Sequence, residues 1–472
     1  GAAQAQNVKV AMIEGLSGPF GGVGQNQLKH FQYAAERFSG KTGNSSVTVE
    51  IVPMDSKGSP QEALALLKKA TDDGIRFVTQ GNGSNVAGVL IDAINKHNER
   101  NPGKEVVFLN YAAIDPDFTN SKCSPWHFRF DAGVDMKLEG LTNFMKDQKD
   151  IKNVYVIGQN YSFGQQVSKY TKELLAKKRP DIKVVGDELH PMGQVKDFAP
   201  YIAKMQAANA DAVVTGNWGN DLALLIKAAN AAGFKGRFYT FYAGVIGAPT
   251  AIGAAGADRV SMVSYWHPNS DQSQFESLYT GFKAKFNEEF YTVAAVNAVR
   301  FLVAGVEKSK STDAAKVAKA IAGMKMKGAS GEDIEMRATD GALQQALYVT
   351  NWTKAGTPGV KFDQENTGYG FKTMRYMMPS EASATTTCKM PKRIFFWEFL
   401  HRNWGRLMGL VFAIPFIIFW REGLLSGWLL KRCWAIMIGG GLVGALGWYM
   451  VASGLEKNPD VSHYRLAIHL CA

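Results

Sequence analysis

The sequence predicts an α/β fold, with parallel sheets covered by helices on both faces, followed by a short all-α membrane segment. Three observations carry this prediction. Short β-type runs alternate with helical spacings through most of the chain. Those runs end in loops rich in Gly, Ser and Asn. From Ile394 onward the chain turns apolar over lengths that suit a bilayer.

Taken in order, Asn7–Ile13 is a strand that breaks in the turn-forming run Glu14–Pro19, and Gln25–Phe38 then has helical spacing. Val47–Val52 is a second strand, and Pro60–Asp73 is a helix with Ala63, Leu66, Leu67 and Ala70 on one face. Phe77–Thr79 and Glu105–Asn110 are strands on either side of a helix from Val86 to Lys96. The alternation resumes with the strand Val154–Ile157, the helix Gly164–Lys177 and the strand Lys183–Val185. The helix Pro200–Ala207, the strand Ala212–Thr215 and the helix Leu222–Ala232 continue it. Strands separated by helices of this length imply parallel sheets with both faces covered.

The 472 residues carry 53 Lys/Arg and 42 Asp/Glu, a formal net charge of +11. Residues 394–472 hold seven Lys/Arg and four Asp/Glu, which leaves +8 on the remainder. Those positives lie in short clusters among acids, such as Lys68/Lys69 and Lys177/Lys178/Arg179. They read as solvated helix faces, because nucleic-acid binding needs a basic stripe with interleaved aromatics. No nucleic-acid partner is expected. Ala3-Gln4-Ala5 has the small-x-small pattern of a secretory cleavage site, so residues 1–6 read as a signal-peptide remnant. None of the four cysteines has zinc-site spacing. In an exported domain Cys123 and Cys388 are candidates for a disulfide.

In sheets of this kind ligands sit beyond the carboxyl ends of the strands. The loops at those ends include Ser17-Gly18-Pro19, Gly83-Ser84, Asn110–Ala113, Asn160–Gly164, Gly216–Gly219 and Tyr242-Ala243-Gly244. Their small residues let the backbone approach a ligand, and helix N-termini there suit an anion. Tyr161 and Trp218 add apolar walls with a polar handle. The ligand-binding candidates are Ser17, Ser84, Ala112, Ala113, Tyr161, Trp218, Ala243 and Gly244. Enzyme chemistry has little footing in this region. Gly21-Gly22-Val23-Gly24 matches neither the dinucleotide nor the phosphate-loop pattern, and no G-x-S-x-G elbow occurs. His30, His97, His127, His190 and His267 lack metal-ligand spacing.

The ordered segments VKVAMIEGLSGPFGGVGQ, VVFLNYAAIDPDFT, YVIGQNYSFGQQ and GFKGRFYTFYAGV resemble the periplasmic branched-chain amino-acid binding proteins of ABC transporters, over about Asn7 to Met390. The resemblance implies a two-lobed periplasmic-binding-protein fold of two doubly wound parallel sheets, closing on a ligand by hinge motion. Its three hinge crossings would fall near Asp131, Ser264 and Met336–Asp340. Lobe 1 would take residues 7–130 and 265–338, and lobe 2 residues 131–264 and 339–390. By motif, Ser84 would bind the ligand carboxylate, the Ala112 backbone would help to hold an ammonium, and Tyr161 would close from the other lobe. Two positions depart from the family's amino-acid pattern. The acid expected before Gly244 is Ala243, and the threonine expected after Ala113 is Ile114. A buried ammonium without a carboxylate partner is expensive. The expected ligand is therefore a small carboxylate or amide, aromatic in view of Trp218, rather than leucine. The domain would need no cofactor, and its partners would be the small-molecule ligand and an ABC transporter permease.

The second part holds two apolar stretches, with spans expected at about 404–420 and 434–455. Arg421, Lys431 and Arg432 load their connection, which the positive-inside rule places in the cytoplasm. Both outer ends would then face the periplasm, and the exported domain would be anchored in the inner membrane. WEFLHRNWGRLMGLVFAIPF, GALGWYMVASGL and VSHYRLAIHL resemble haem A synthase, over about Phe395–Ala472. The resemblance implies a catalytic role for Glu398 and haem-iron ligation by His401 and His469. That family needs two four-helix halves, so this fragment is too incomplete to expect haem A synthase activity. Three readings stay open: an anchored solute receptor, a haem-linked membrane oxidoreductase fragment of haem A biosynthesis, and a join of two unrelated reading frames. The junction at Thr385–Arg393 has no flexible Gly/Ser linker.

Overall fold

The computed structural model describes residues 6–270, 273–389 and 394–452. The expected signal remnant lies outside the described residues, apart from Gln6. The chain divides into two compact units, Gly1–Met390 and Pro391–Ala472.

In the first unit, β1 (Gln6–Glu14), β2 (Val47–Asp55), β3 (Phe77–Gln80), β4 (Val107–Asn110) and β5 (His127–Arg129) form a parallel sheet in the order β2-β1-β3-β4-β5. The helices α1 (Gly21–Phe38), α2 (Pro60–Asp72) and α3 (Ser84–Arg100) connect its first four strands. β3 and β4 are buried at every position, as strands covered on both faces require. α2 starts where the Ser59 side chain accepts from the Glu62 N–H and Pro60 presets the first turn.

The chain leaves this sheet at Asp131 and enters a second one through α4 (Val134–Met145). The strands β6 (Asn153–Gln159), β7 (Lys183–His190), β8 (Ala212–Thr215), β9 (Arg237–Thr240) and β10 (Val260–Ser264) are parallel. They alternate with α5 (Ser162–Lys178), α6 (Ala199–Ala207), α7 (Asn220–Ala231) and the short α8 (Ala248–Ile252). After Ser264 the chain returns through α9 (Ser273–Phe286), α10 (Val293–Ser309) and α11 (Ala314–Ile321), which share an apolar core with α1 and the first sheet. A second cluster covers the opposite face of that sheet with α2 and α3, and two further clusters cover the two faces of the second sheet.

The remaining strands depart from a wholly parallel pattern. β11 (Lys325–Lys327), β12 (Asp333–Met336) and β13 (Leu343–Gln344) form a small antiparallel sheet. β14 (Leu347–Lys354) and β15 (Tyr369–Met377) pair antiparallel and add to the second sheet, giving β15-β14-β10-β9-β8-β6-β7. This hairpin covers the edge that β10 would otherwise expose. The third passage between the sheets falls between Gln344 and Leu347, beyond Met336–Asp340, because β12 is held by its pairing with β13.

A further return follows the short α12 (Pro379–Ala382). Thr386 Oγ1 donates to the Thr119 carbonyl at 2.7 Å, and the Thr387 N–H donates to Asn120 at 2.9 Å. Cys388 is disulfide-bonded to Cys123, with Cα atoms 5.8 Å apart.

The second unit contains α13 (Ile394–Arg421) and α14 (Gly427–Ala452). Their rings meet beside the connection, with Phe416 and Trp420 at 5.3 and 5.4 Å from Trp434. Within α13, Asn403–Arg421 is long and apolar enough to cross a membrane, by length and composition. Leu407, Val411, Ile414 and Ile418 are exposed along it.

Candidate ligand-binding cleft

Loops at the carboxyl ends of both sheets enclose a cavity of about 60 Å³. From the first sheet come Gly81–Ser84 after β3 and Ala112–Ile114 after β4. Gly83 holds a positive φ of 94° at the N-cap, so Ser84 opens α3 against the cavity. The first N–H groups of a helix have no intrahelical acceptor, which makes this end of the cavity suited to a carboxylate. The loop is tied down from behind by Glu14, which is buried at the end of β1. Its carboxylate accepts from the N–H groups of Gly81 and Asn82, at 3.0 and 3.1 Å, and from Tyr111 Oη at 2.5 Å. Burial pushes the Glu14 carboxyl up, and these four-sided donors, including the Gly15 N–H, pull it back.

The second sheet supplies the apolar wall. Tyr161 follows β6 and Trp218 follows β8, and Trp218 Nε1 donates to Tyr161 Oη at 2.9 Å. Phe163, Phe241 and Tyr242 complete that face. The two halves touch: the Phe20 ring of the first half packs against Trp218 at 4.2 Å between centroids with a 34° tilt, and Asn220 donates to the Pro19 carbonyl at 3.2 Å.

Asp131 and Lys137 also line the cavity, and each is 1% exposed. Lys137 Nζ lies 2.9 Å from Asp131 Oδ1 and 4.6 Å from the centre of the Tyr242 ring. Tyr242 Oη donates to Asp131 Oδ2 at 3.2 Å. Burial pushes the Asp131 carboxyl up and the Lys137 ammonium down, and each charge pulls the other back toward the ionised state. Asp131 is the one acidic residue among the described residues that line the cavity.

Of the ligand candidates, Ser84, Ala112, Ala113, Tyr161, Trp218 and Gly244 line the cavity. Two do not. Ser17 is exposed and donates to Asp55 at 2.6 Å, because the turn after β1 folds outward over β2. Ala243 is fully buried in the apolar cluster of Phe238, Met262, Trp352 and Phe371, so its side chain belongs to the core of the second sheet. The missing acid is therefore decided by Asp131 and Lys137 rather than by Ala243. Ile114 lines the cavity and leaves its wall apolar at the place where a threonine was expected. Lys137, Tyr265, Trp266 and Gln364 line the cavity as well, outside the strand-end loops that the sequence marks, and Tyr242 joins them from within one of those loops. The helix start VDMKLEGL alternates charged and apolar residues, so no local signal marks Lys137 as buried.

In the second unit, Glu398 and His401 lie in the opening turns of α13, where only the backbone is described, and His469 lies outside the described residues. Among the described residues of the second unit, His401 is the one histidine.

A parallel sheet and a mainly parallel one meeting over a ring-walled cavity define a two-lobed binding protein. The family model described as periplasmic binding protein matches residues 7–357, and the chain belongs to that family. A second family model, cytochrome oxidase assembly protein, matches residues 346–472. The two matches overlap on β14, which sits between β10 and β15 and so is structurally part of the binding fold. A Leu/Ile/Val-binding protein homolog 4 of Brucella abortus is 38% identical over 256 residues, 54% of this chain and 60% of that protein. The chain thus spans 60% of the length of that curated relative. The heme A synthase of Rhodospirillum centenum is 54% identical over 79 residues, 17% of this chain and 21% of that protein. Among solved structures, the leucine-, isoleucine-, valine-, threonine- and alanine-binding protein of Brucella ovis, in its closed conformation, superposes with a TM-score of 0.72. It is 29% identical, and the match covers 82% of this chain and all of that one. A solute-binding protein of R. palustris in complex with 4-hydroxybenzoate shares the fold, with a TM-score of 0.67 at 19% identity over 79% of this chain and 97% of that one.

Proposed function

We propose that the chain is an extracytoplasmic solute receptor of an ABC-type importer, and that its ligand is a small carboxylate without an ammonium group. The observation that carries this reading is the commitment of Asp131 to Lys137. An amino-acid ammonium entering the cavity would find its one acidic lining residue already paired at 2.9 Å. A second buried cation there would be uncompensated, and that is strongly unfavourable. A bare carboxylate escapes this penalty: it meets Ser84 and the start of α3, while Tyr161, Phe163, Trp218 and Phe241 favour a flat apolar body. The Brucella relatives are named for neutral amino acids, so the reading separates this chain from them by ligand chemistry. The R. palustris protein shows that the fold itself accommodates an aromatic carboxylate.

α13 and α14 would hold the receptor at a membrane. Arg421 at the end of α13 and Lys431 and Arg432 near the start of α14 would favour the cytoplasmic side for their connection, and the start of α13 would then face the same compartment as the binding unit. Closure of the two lobes would present the loaded receptor to a permease. The test is isothermal titration of the full chain in detergent with benzoate, leucine, isoleucine and valine. Binding of benzoate with no heat from the three amino acids is expected. Tight binding of any of the three would overturn the reading.

A further inference from the structure

The cavity runs from Ser84 to the passage after β10, where Trp266 and Gln364 form its wall. Both side chains are buried, 2% and 1% exposed. Among the described residues, Trp266 Nε1–H donates to no acceptor and Gln364 Oε1 accepts from no donor. The Trp266 ring is held by Tyr279 and Phe290, at 6.0 and 5.9 Å between centroids, and the Gln364 backbone is fixed by its N–H to the Tyr369 carbonyl. Buried polar atoms are nearly always hydrogen-bonded, and leaving one unpaired is costly. Thr292 Oγ1 and Asp131 Oδ1 on this cavity also lack a hydrogen-bond partner among the described residues, Asp131 Oδ1 being in ion-pair range of Lys137. Trp266 and Gln364 supply a donor and an acceptor at one end of it, because Tyr279 packs on the Trp266 ring and its Oη donates to the carbonyl of Asp363, the residue before Gln364. That pair matches a group that both accepts and donates.

We propose that this end of the cleft is a second polar subsite, taking a hydroxyl or primary amide carried by the ligand at a distance from its carboxylate. The proposal rests on the carboxylate reading above and narrows it, from small carboxylates to hydroxy- or carbamoyl-substituted ones. An unsubstituted apolar ligand end leaves both atoms unpaired, and a second carboxylate would face the Gln364 carbonyl oxygen with no proton to offer it.

The test titrates the full chain in detergent with benzoate, 3-hydroxybenzoate and 4-hydroxybenzoate, and repeats this for Gln364→Leu and Trp266→Phe. At least one hydroxylated probe should bind about tenfold or more tighter than benzoate. Each substitution should reduce that advantage, weakening the hydroxybenzoates more than benzoate. Equal affinity for all three probes overturns the subsite and leaves the carboxylate reading standing. So does an advantage that survives both substitutions, or a loss that strikes benzoate and the hydroxybenzoates alike, which would mark Gln364 as a packing residue. Binding by none of the three removes the carboxylate reading and the subsite together. Urea unfolding of both variants checks that they fold, and Trp266→Phe, which keeps the ring packing, carries the test if Gln364→Leu does not.

Discussion

At the scale of single residues, the cleft is governed by a lysine that looks unremarkable in the chain. α4 buries Val134, Met136, Leu138 and Leu141, and Lys137 is buried with them against Tyr242 and Asp131. Removing one member of a buried ion pair costs more than the pair contributes, because the survivor is left as an uncompensated charge. Lys137→Met should therefore lower unfolding free energy by about 3 kcal/mol or more, and adding Asp131→Asn should restore most of the loss. Urea unfolding of the two single variants and the double variant checks this. Additive losses would show that the two residues do not act as a pair. Ser84, Tyr161 and Trp218 were legible beforehand because each sits directly after a strand. Trp266 and Gln364 were not, because the return from the second sheet and the loop after β14 bring them to the cavity from distant parts of the chain.

At the scale of elements, the strand–helix alternation up to Ala232 is legible in the sequence apart from β5 and α4, since a buried face repeats every two or every 3.6 residues. Helix packing at the strand ends needed more than periodicity. A Cβ on Gly24 would lie 2.0 Å from the Gly15 carbonyl oxygen, and one on Gly164 would lie 1.9 Å from that of Gln159. The same close approach thus seats α1 beyond β1 and α5 beyond β6. The segment after α12 was not legible as an element at all. It is held to the first sheet's side by Thr386, Thr387 and the Cys123–Cys388 bond, which joins residues 265 apart in sequence. A cross-link over so long a loop restricts the unfolded chain, typically by about 2–4 kcal/mol. The urea midpoint of the Cys123→Ser/Cys388→Ser variant should fall accordingly. An unchanged midpoint would mean that the hydrogen bonds alone hold the segment.

At the scale of the whole molecule, protonation couples stability to pH through side chains scattered over the first unit. His30, His127 and His267 are buried, and burial lowers each imidazole from 6.5 to about 3. Each is neutral when folded and takes up a proton on unfolding below pH 6.5. The stability linked to them is whole above 6.5 and drains away as pH falls from there toward 3. For His267, whose Nε2 meets Thr373 Oγ1 at 2.7 Å, the share between pH 7 and pH 5 is about 2 kcal/mol. In His267→Gln the acid-induced loss over that interval should shrink by about this amount, measured by urea unfolding at both pH values. An identical pH dependence in the variant would assign the loss to other groups.

The sequence by itself determined the alternation of strands and helices, the change to membrane-scale apolar runs at Ile394 and the loops from which a cleft could be built. These are local properties, carried by periodicity and by turn residues. Tertiary structure alone decided that Ala243 turns into a core, that Ser17 turns outward, and that Asp131 is already engaged by Lys137. It also placed the antiparallel hairpin of β14 and β15 on the open edge of β10. The physical reason is the same throughout. Which side chains line a cavity depends on strands paired across hundreds of residues and on two lobes meeting, and no local pattern encodes that meeting.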